Sequence, residues 1–170
     1  MTASSSASEG SSRTAVVTGA SRGIGLAVAA GLVSRNFRVA MLARSAAVLS
    51  TQAAALGGRA RPVAVDLTID DDVQRALADV ESWLGLPDVL VNSVGVFGLA
   101  PVGSMRAVEF AATLDSNLVA PYRLLHAYVP RMRERGSGHI VSLGSVADRV
   151  AYPGNAAYAA SKFGVRGVHE

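Results

Sequence analysis

Apolar residues fall along this chain in short unbroken runs, separated by longer amphipathic stretches. The runs "TAVVTG" (14–19), "FRVAMLA" (37–43), "RPVAVDL" (61–67), "PDVLVNS" (87–93) and "GHIVSLGS" (138–145) are predicted as five strands. Runs of that length without polar alternation fit strands covered on both faces. Between them, "GIGLAVAAGLVSRN" (23–36), "SAAVLSTQAAALGG" (45–58) and "DDVQRALADVESWLG" (71–85) are predicted as helices. After the fourth strand the pattern predicts a turn or short helix around 103–115 and a longer helix near 117–135. A last helix starts at about Asn155. Strand and helix in strict alternation predict an α/β fold: a Rossmann-type, doubly wound parallel sheet with helices on both faces.

Composition narrows the picture. At 170 residues the chain is long enough for one domain, read as 14–170, behind a small, polar segment at 1–13. That segment, "MTASSSASEGSSR", lacks an apolar stretch, so it is read as a disordered tail and not as a signal peptide. No apolar run is long enough to span a bilayer, and nothing argues for export, so we expect a soluble, cytoplasmic protein with no membrane partner. The absence of cysteine removes disulfides and thiolate chemistry. A net charge of +3 invites a nucleic-acid reading, but the arginines are scattered and aromatics are 5%, so no nucleic acid is expected. Fifteen of the sixteen basic residues are Arg, and Lys162 is the only lysine. Such a bias hints that position 162 needs an ammonium.

The first strand runs straight into "TGASRGIG" (18–25). Gly19, Gly23 and Gly25 stand where a strand must turn, admit a pyrophosphate to the backbone and pack a helix closely on the sheet. The helix that begins there offers free N–H groups and a positive dipole end to phosphates. NAD enzymes of this fold place a carboxylate at the end of the second strand, for the ribose 2′-OH. Here no acid occurs from Leu26 to Val65; Arg44 and Ser45 fill that place, with Arg22 in the turn itself. Arginine pairs well with a 2′-phosphate, so NADP(H) is preferred over NAD(H); the other reading leaves Arg44 merely solvated.

From residue 14 onward the sequence resembles the short-chain dehydrogenase/reductase family. The motifs that carry the likeness are "TGASRGIG", Asp66 after the third strand, Asn117 in the long helix, Ser145 in "IVSLGS", and Tyr158 with Lys162 in Tyr-x-x-x-Lys. The resemblance implies Ser145, Tyr158, Lys162 and Asn117 as catalytic residues. It implies cofactor contacts from Gly19, Ser21, Arg22, Gly23, Ile24, Gly25, Arg44, Ser45, Asp66, Leu67, Asn92, Gly95, Tyr158 and Lys162, with Asp66 on the adenine ring. One departure is "NSVG" (92–95) in place of the family's Asn-Asn-Ala-Gly, which bears on packing beside the cofactor ribose.

The chemistry follows from spacing. Residues i and i+4 share a helix face, so the Lys162 ammonium lies near the Tyr158 phenol and stabilises its phenolate. Tyr158 then gives a proton to a carbonyl oxygen, or takes one from an alcohol. Ser145 would hydrogen-bond the reacting oxygen. By resemblance, Asn117 holds a water that links Lys162 to solvent. The expected partner is a small carbonyl or alcohol substrate, and the region "VADRVAYPGNAAYAASKFGVRG" (146–167) is similar to 3-oxoacyl carrier-protein reductases.

Other features are read plainly. In "TIDDD" (68–72), Thr68 or Asp70 is expected to cap a helix, and no metal is expected. "RMRERG" (131–136) reads as a helix end with arginines placed for its dipole; the functional alternative is a docking patch for an acidic carrier. His126, His139 and His169 carry no ligand spacing. The chain ends eight residues after Lys162. The resemblance implies two further strands, a lid and a homodimer or homotetramer, so the sheet is expected to lack its last two strands and to leave the fifth at an edge. The second reading of the whole chain is therefore a non-catalytic nucleotide-binding remnant or interaction module.

Overall fold

Five strands, Thr14–Thr18 (β1), Arg38–Ala43 (β2), Ala60–Ala64 (β3), Val89–Asn92 (β4) and His139–Ser142 (β5), make one parallel sheet in the order β3-β2-β1-β4-β5. This is seen in a computed structural model, which describes residues 12–170. The tail reading of 1–13 falls almost wholly outside the described residues. Six α-helices connect or follow the strands: Gly23–Val33 (α1), Ala46–Leu56 (α2), Asp70–Leu84 (α3), Ala107–Leu114 (α4), Ala120–Arg135 (α5) and Ala156–His169 (α6).

Side chains alternate across β1, the central strand, so each face of the sheet has its own core. Val16 joins Ala40, Leu42, Val63 and Leu90 under Val73, Ala76 and Val80 of α3 and Leu124, Tyr128 and Met132 of α5. Ala15 and Val17 join Val39 and Met41 on the opposite face, under Ala29 of α1 and Leu49 and Ala53 of α2. The middle positions of β1, β2 and β4 are therefore apolar on both faces, as the unbroken runs required. The pairing sets Val16 between Ala40 and Leu90, and at the outer edge Val141 of β5 against Val91. Val141 is half exposed, in keeping with the edge position expected for the fifth strand.

Three local expectations need correction. The third strand begins one residue earlier and ends three earlier than predicted, because Val65–Thr68 leaves the sheet to form the turn before α3. Neither Thr68 nor Asp70 caps α3: the Thr68 hydroxyl donates to the Asp66 carboxylate at 2.7 Å, and Ile69 occupies the cap position with no side-chain bond. The acids at 70–72 do fill the first turn, where the helix dipole favours them. The short and long helices predicted at 103–115 and 117–135 are one continuous rod, joined by a π-helical segment, Asp115–Val119. The one extra residue per turn there cannot be read from hydrophobic spacing. At the far end of the rod, Gly136 (φ 75°) ends α5 in the left-handed conformation, as the glycine stop implied.

Tyr128 is wholly buried in the core beneath α5, and its hydroxyl has no hydrogen-bond partner among the described residues. Burial, with the Glu81 charge nearby, pushes its ionisation upward. An unpaired buried hydroxyl costs about 1–3 kcal/mol. Tyr128→Phe is therefore expected to raise the unfolding free energy by about 1 kcal/mol. Urea denaturation would show this as a higher midpoint at unchanged slope, and a lower midpoint would mean that the hydroxyl has a partner.

Candidate active site

The turn after β1 is shaped by close backbone contacts. A Cβ on Gly25 would stand 2.4 Å from the Gly19 carbonyl oxygen, so only glycine lets α1 start against the strand end. Gly19 and Gly23 have positive φ (64° and 57°), and nothing lies within 4 Å of where a Gly23 Cβ would be. Arg22, the residue before α1, is extended and its side chain caps nothing. The first N–H groups of α1 thus face open space without a protein acceptor from that cap.

That space is a cleft of about 570 Å³. Ser21, Arg22 and Ile24 line one side, Arg44 and Ser45 a second, Leu67 and Gly95 a third, and Leu143 closes it. Asp66 sits between the lining residues Val65 and Leu67, where hydrogen bonds from Thr68 hold its carboxyl below the usual range, with help from the Arg44 charge. Among the described residues neither Arg22 nor Arg44 forms an ion pair. Two uncommitted guanidinium groups beside free amide donors form an anion-binding mouth, and the open backbone at Gly23 leaves room for a diphosphate.

Asn92 does not line the cleft. It is buried, its amide reaching toward Ser142 at 3.4 Å, and its Oδ1 has no partner. Thr18 supplies a contact that the sequence reading passed over. Its hydroxyl accepts from the N–H groups of Ser93 (3.0 Å) and Val94 (3.1 Å) and donates to the Val91 carbonyl. These are backbone contacts, which is why Ser93 and Val94 can replace the family's Asn and Ala. The signal was available: Thr18 is the last strand residue before the glycine turn.

Beyond Leu143, Lys162 lies beside Tyr158, Asn117 is bonded to Ser161 next to them in the chain, and Ser145 follows Leu143 by two residues. Lys162 is 6% exposed and its ammonium donates to the Leu143 carbonyl at 2.6 Å. It stands 5.7 Å from the centre of the Tyr158 ring. Asn117 lies in the π-helical segment, with Oδ1 accepting from Val96 N–H (2.7 Å) and Nδ2 donating to Val96 C=O (2.9 Å) and Ser161 Oγ (3.1 Å). Its side chain is thus spent on the protein, and any water it held would have to sit on its backbone. Ser145 accepts from Ala147 N–H at 3.2 Å, which leaves its hydroxyl proton to donate elsewhere. Asp148 accepts from Ser145 N–H at 3.1 Å and fixes that turn. Ser161 and Asp148 are supporting residues; Asp148 stands at capping-box spacing from Ser145, whereas no local pattern marks Ser161.

Two of the three arginines of 131–136 are engaged within the fold, and Arg133 is exposed. Arg131 pairs with Glu81, and Arg135 donates to the carbonyls of Leu86 and Pro87 at 2.8 Å each. That weakens the docking-patch alternative and supports the helix-end reading. His169, to which no role was given, contacts Ser142 Oγ at 2.6 Å. Among the described residues no group of acids and histidines could hold a metal, and no helix is long and apolar enough to cross a membrane.

Comparison with known proteins identifies a family. A family model described as short chain dehydrogenase matches residues 13–170. D-threitol dehydrogenase of Mycolicibacterium smegmatis is 39% identical over 159 residues, covering 92% of this chain and 61% of its own length. The 3-oxoacyl-[acyl-carrier-protein] reductase of Vibrio cholerae is 32% identical, covering 91% and 64% respectively. A metagenomic short-chain oxidoreductase solved in complex with NADP superposes with a TM-score of 0.87 at 39% identity, covering 92% of this chain and 72% of that one. The chain thus spans less than two thirds of the length of these two curated relatives.

Burial of the Lys162 ammonium lowers its ionisation from the ordinary lysine value, against the opposing pull of Asp148. Because Lys162 is the only lysine, ¹³C-lysine labelling gives one side-chain signal, and its titration midpoint is expected below that of free lysine. Between the two midpoints the unfolded chain binds more protons, so this residue makes stability rise with pH across that window. In Lys162→Met that contribution should vanish. A midpoint at or above the free value would contradict the burial.

Proposed function

Because the chain belongs to the short chain dehydrogenase family, we propose that it is an NADP(H)-dependent oxidoreductase interconverting a ketone and a secondary alcohol. One observation carries the reading. A single cleft runs from the uncapped start of α1, between Arg22 and Arg44, to Leu143, and the Leu143 carbonyl holds the buried ammonium beside Tyr158.

Each residue has a part. The N–H groups at the start of α1 and the Gly19–Gly25 turn receive the diphosphate, and Arg22 and Arg44 pair with the 2′-phosphate. Asp66 and Leu67 receive the adenine, while Asn92 and Gly95 set the turn beside the ribose. When bound, NADPH supplies the hydride that the carbonyl carbon receives. Ser145 donates its free hydroxyl proton in a hydrogen bond to the carbonyl oxygen. Tyr158 transfers its proton to that oxygen, giving the alcohol, and the Lys162 ammonium stabilises the phenolate left behind. The phenolate is reprotonated from the Lys162 side, and alcohol oxidation is the same sequence reversed. A 3-oxoacyl thioester has the ketone this chemistry needs, and so does a hydroxyketone, so the family alone does not choose between them.

The catalytic reading is preferred to the non-catalytic remnant because the buried Lys162 ammonium stands beside the Tyr158 ring. Fluorescence titration with NADPH and NADH tests the cofactor reading. A charge-assisted bond contributes about 1.5–3 kcal/mol, so Arg44→Ala should weaken NADPH by roughly tenfold or more. NADH affinity should stay within about threefold, because it has no 2′-phosphate to lose. Equal losses for both would remove the 2′-phosphate role. Tyr158→Phe should bind NADPH as before while ketone reduction falls by about two to four orders of magnitude. Turnover that survives this change would end the proposed proton transfer.

A further inference from the structure

The proton-donating tyrosine has a neighbour that the family reading does not account for. Phe97 lies in the loop after β4, 66% exposed, with its ring centre 4.9 Å from that of Tyr158 and the planes at 88°. This is an edge-to-face pair, a favoured aromatic geometry. The open face of Phe97 thus lies beside the residue that would move a proton, where an apolar group of a substrate can pack on it.

Two features fix and extend this surface. Asn117 holds both backbone groups of Val96, so the residue before Phe97 cannot drift. The same loop is fastened to the one before α6 by the Ala100 N–H to Gly154 carbonyl bond, at 2.7 Å. The fastened loops expose Leu99 (64%), Val146 (71%), Val150 (54%) and Tyr152 (51%). Neither Ser93–Met105 nor Val150–Ser161 contains a charged residue. The two charges just before Val150, Asp148 and Arg149, lie 3.6 Å apart and pair with each other, and Asp148 also accepts from Ser145 N–H.

We propose that Phe97 forms the wall of the substrate site and selects an uncharged ketone or secondary alcohol with a bulky apolar substituent, aryl or branched alkyl, against polyols and anionic keto acids. This rests on the reading of Tyr158 as the proton donor. The apolar substituent packs on the outer face of Phe97, and the carbonyl oxygen then lies toward the Tyr158 hydroxyl. A polyhydroxylated or carboxylate substrate would have to shed water against an apolar surface whose flanking cation, Arg149, is already paired with Asp148. Phe97 is on this view a positioning and specificity residue, and its edge contact also fixes the plane of the Tyr158 ring.

The test uses the 170-residue chain with NADPH and three probes: acetophenone, dihydroxyacetone and pyruvate. Acetophenone is expected to have the highest kcat/KM, and Phe97→Ala to cut its advantage over dihydroxyacetone by about tenfold or more. Phe97→Leu keeps an apolar wall but no ring edge, so KM for acetophenone should recover while kcat stays low. A preference for dihydroxyacetone or pyruvate, or a ratio unmoved by Phe97→Ala, overturns the proposal while leaving the oxidoreductase reading intact. If NADPH binds but no probe is reduced, it is the oxidoreductase reading that fails. Saturation-transfer NMR with NADP⁺ present then decides the wall separately. Acetophenone signals seen with the native chain and lost in Phe97→Ala support it, and no signal with the native chain overturns it.

Discussion

The side chain of Asn117 is the joint on which the site depends. One buried amide bonds to both backbone groups of Val96, after β4, and to Ser161, the residue before Lys162. It thereby ties three separately folded pieces: the helical rod, the loop carrying Phe97 and the helix carrying Tyr158 and Lys162. In a buried setting a lost amide partner costs about 1–3 kcal/mol, so the three bonds are mutually enforcing. The π-helical segment serves this contact: its wider turn places Asn117 at the inner face, where a regular helix would set a different register. Gly164 lets the two helical pieces approach, since a Cβ there would meet the Leu118 side chain at 2.6 Å.

At the other end of the cleft a backbone contact has the same standing. The start of α1 touches the end of β1 so closely that Gly25 admits no side chain, and Thr18 fastens the turn after β4 onto the same point. The two strand ends that would flank a dinucleotide are therefore one rigid unit. This explains how the sequence can depart from the family at Ser93 and Val94 without disturbing the turn. Only their N–H groups meet Thr18, and every non-proline residue has one.

What could be read from the sequence follows from how local each cause is. Strands, helices and the parallel sheet arise from runs and periods within a few residues, and these were legible to within a residue or so for β1, β2 and α6. The glycine turn, Arg44 and the Tyr158–Lys162 pair were legible because helix and strand geometry place them by counting. The π-helical joint, the Thr18 fastening and the Phe97–Tyr158 pair were not. Each joins residues some twenty to seventy-six positions apart, or depends on one extra residue in a turn, and no window of the sequence contains both partners. Thr68 shows the converse. It looked like a cap because caps are local, but the Asp66 carboxylate two residues earlier captured its hydroxyl first.

The placement of charge then explains why the lone lysine and the many arginines are not interchangeable. Arg22 and Arg44 stand exposed at the mouth, where a permanently charged, planar donor can meet a phosphate at little desolvation cost. Lys162 is buried, and a guanidinium there would keep its charge at any working pH and need acceptors for five N–H groups. The pocket offers the Leu143 carbonyl and the nearby Asp148 charge. A compact ammonium, whose proton affinity burial has already lowered, fits that supply and can follow the charge on Tyr158 as it changes. On the proposed function, the cation at the mouth holds a ligand in place while the cation within responds to a reaction, and the chain offers a different residue for each.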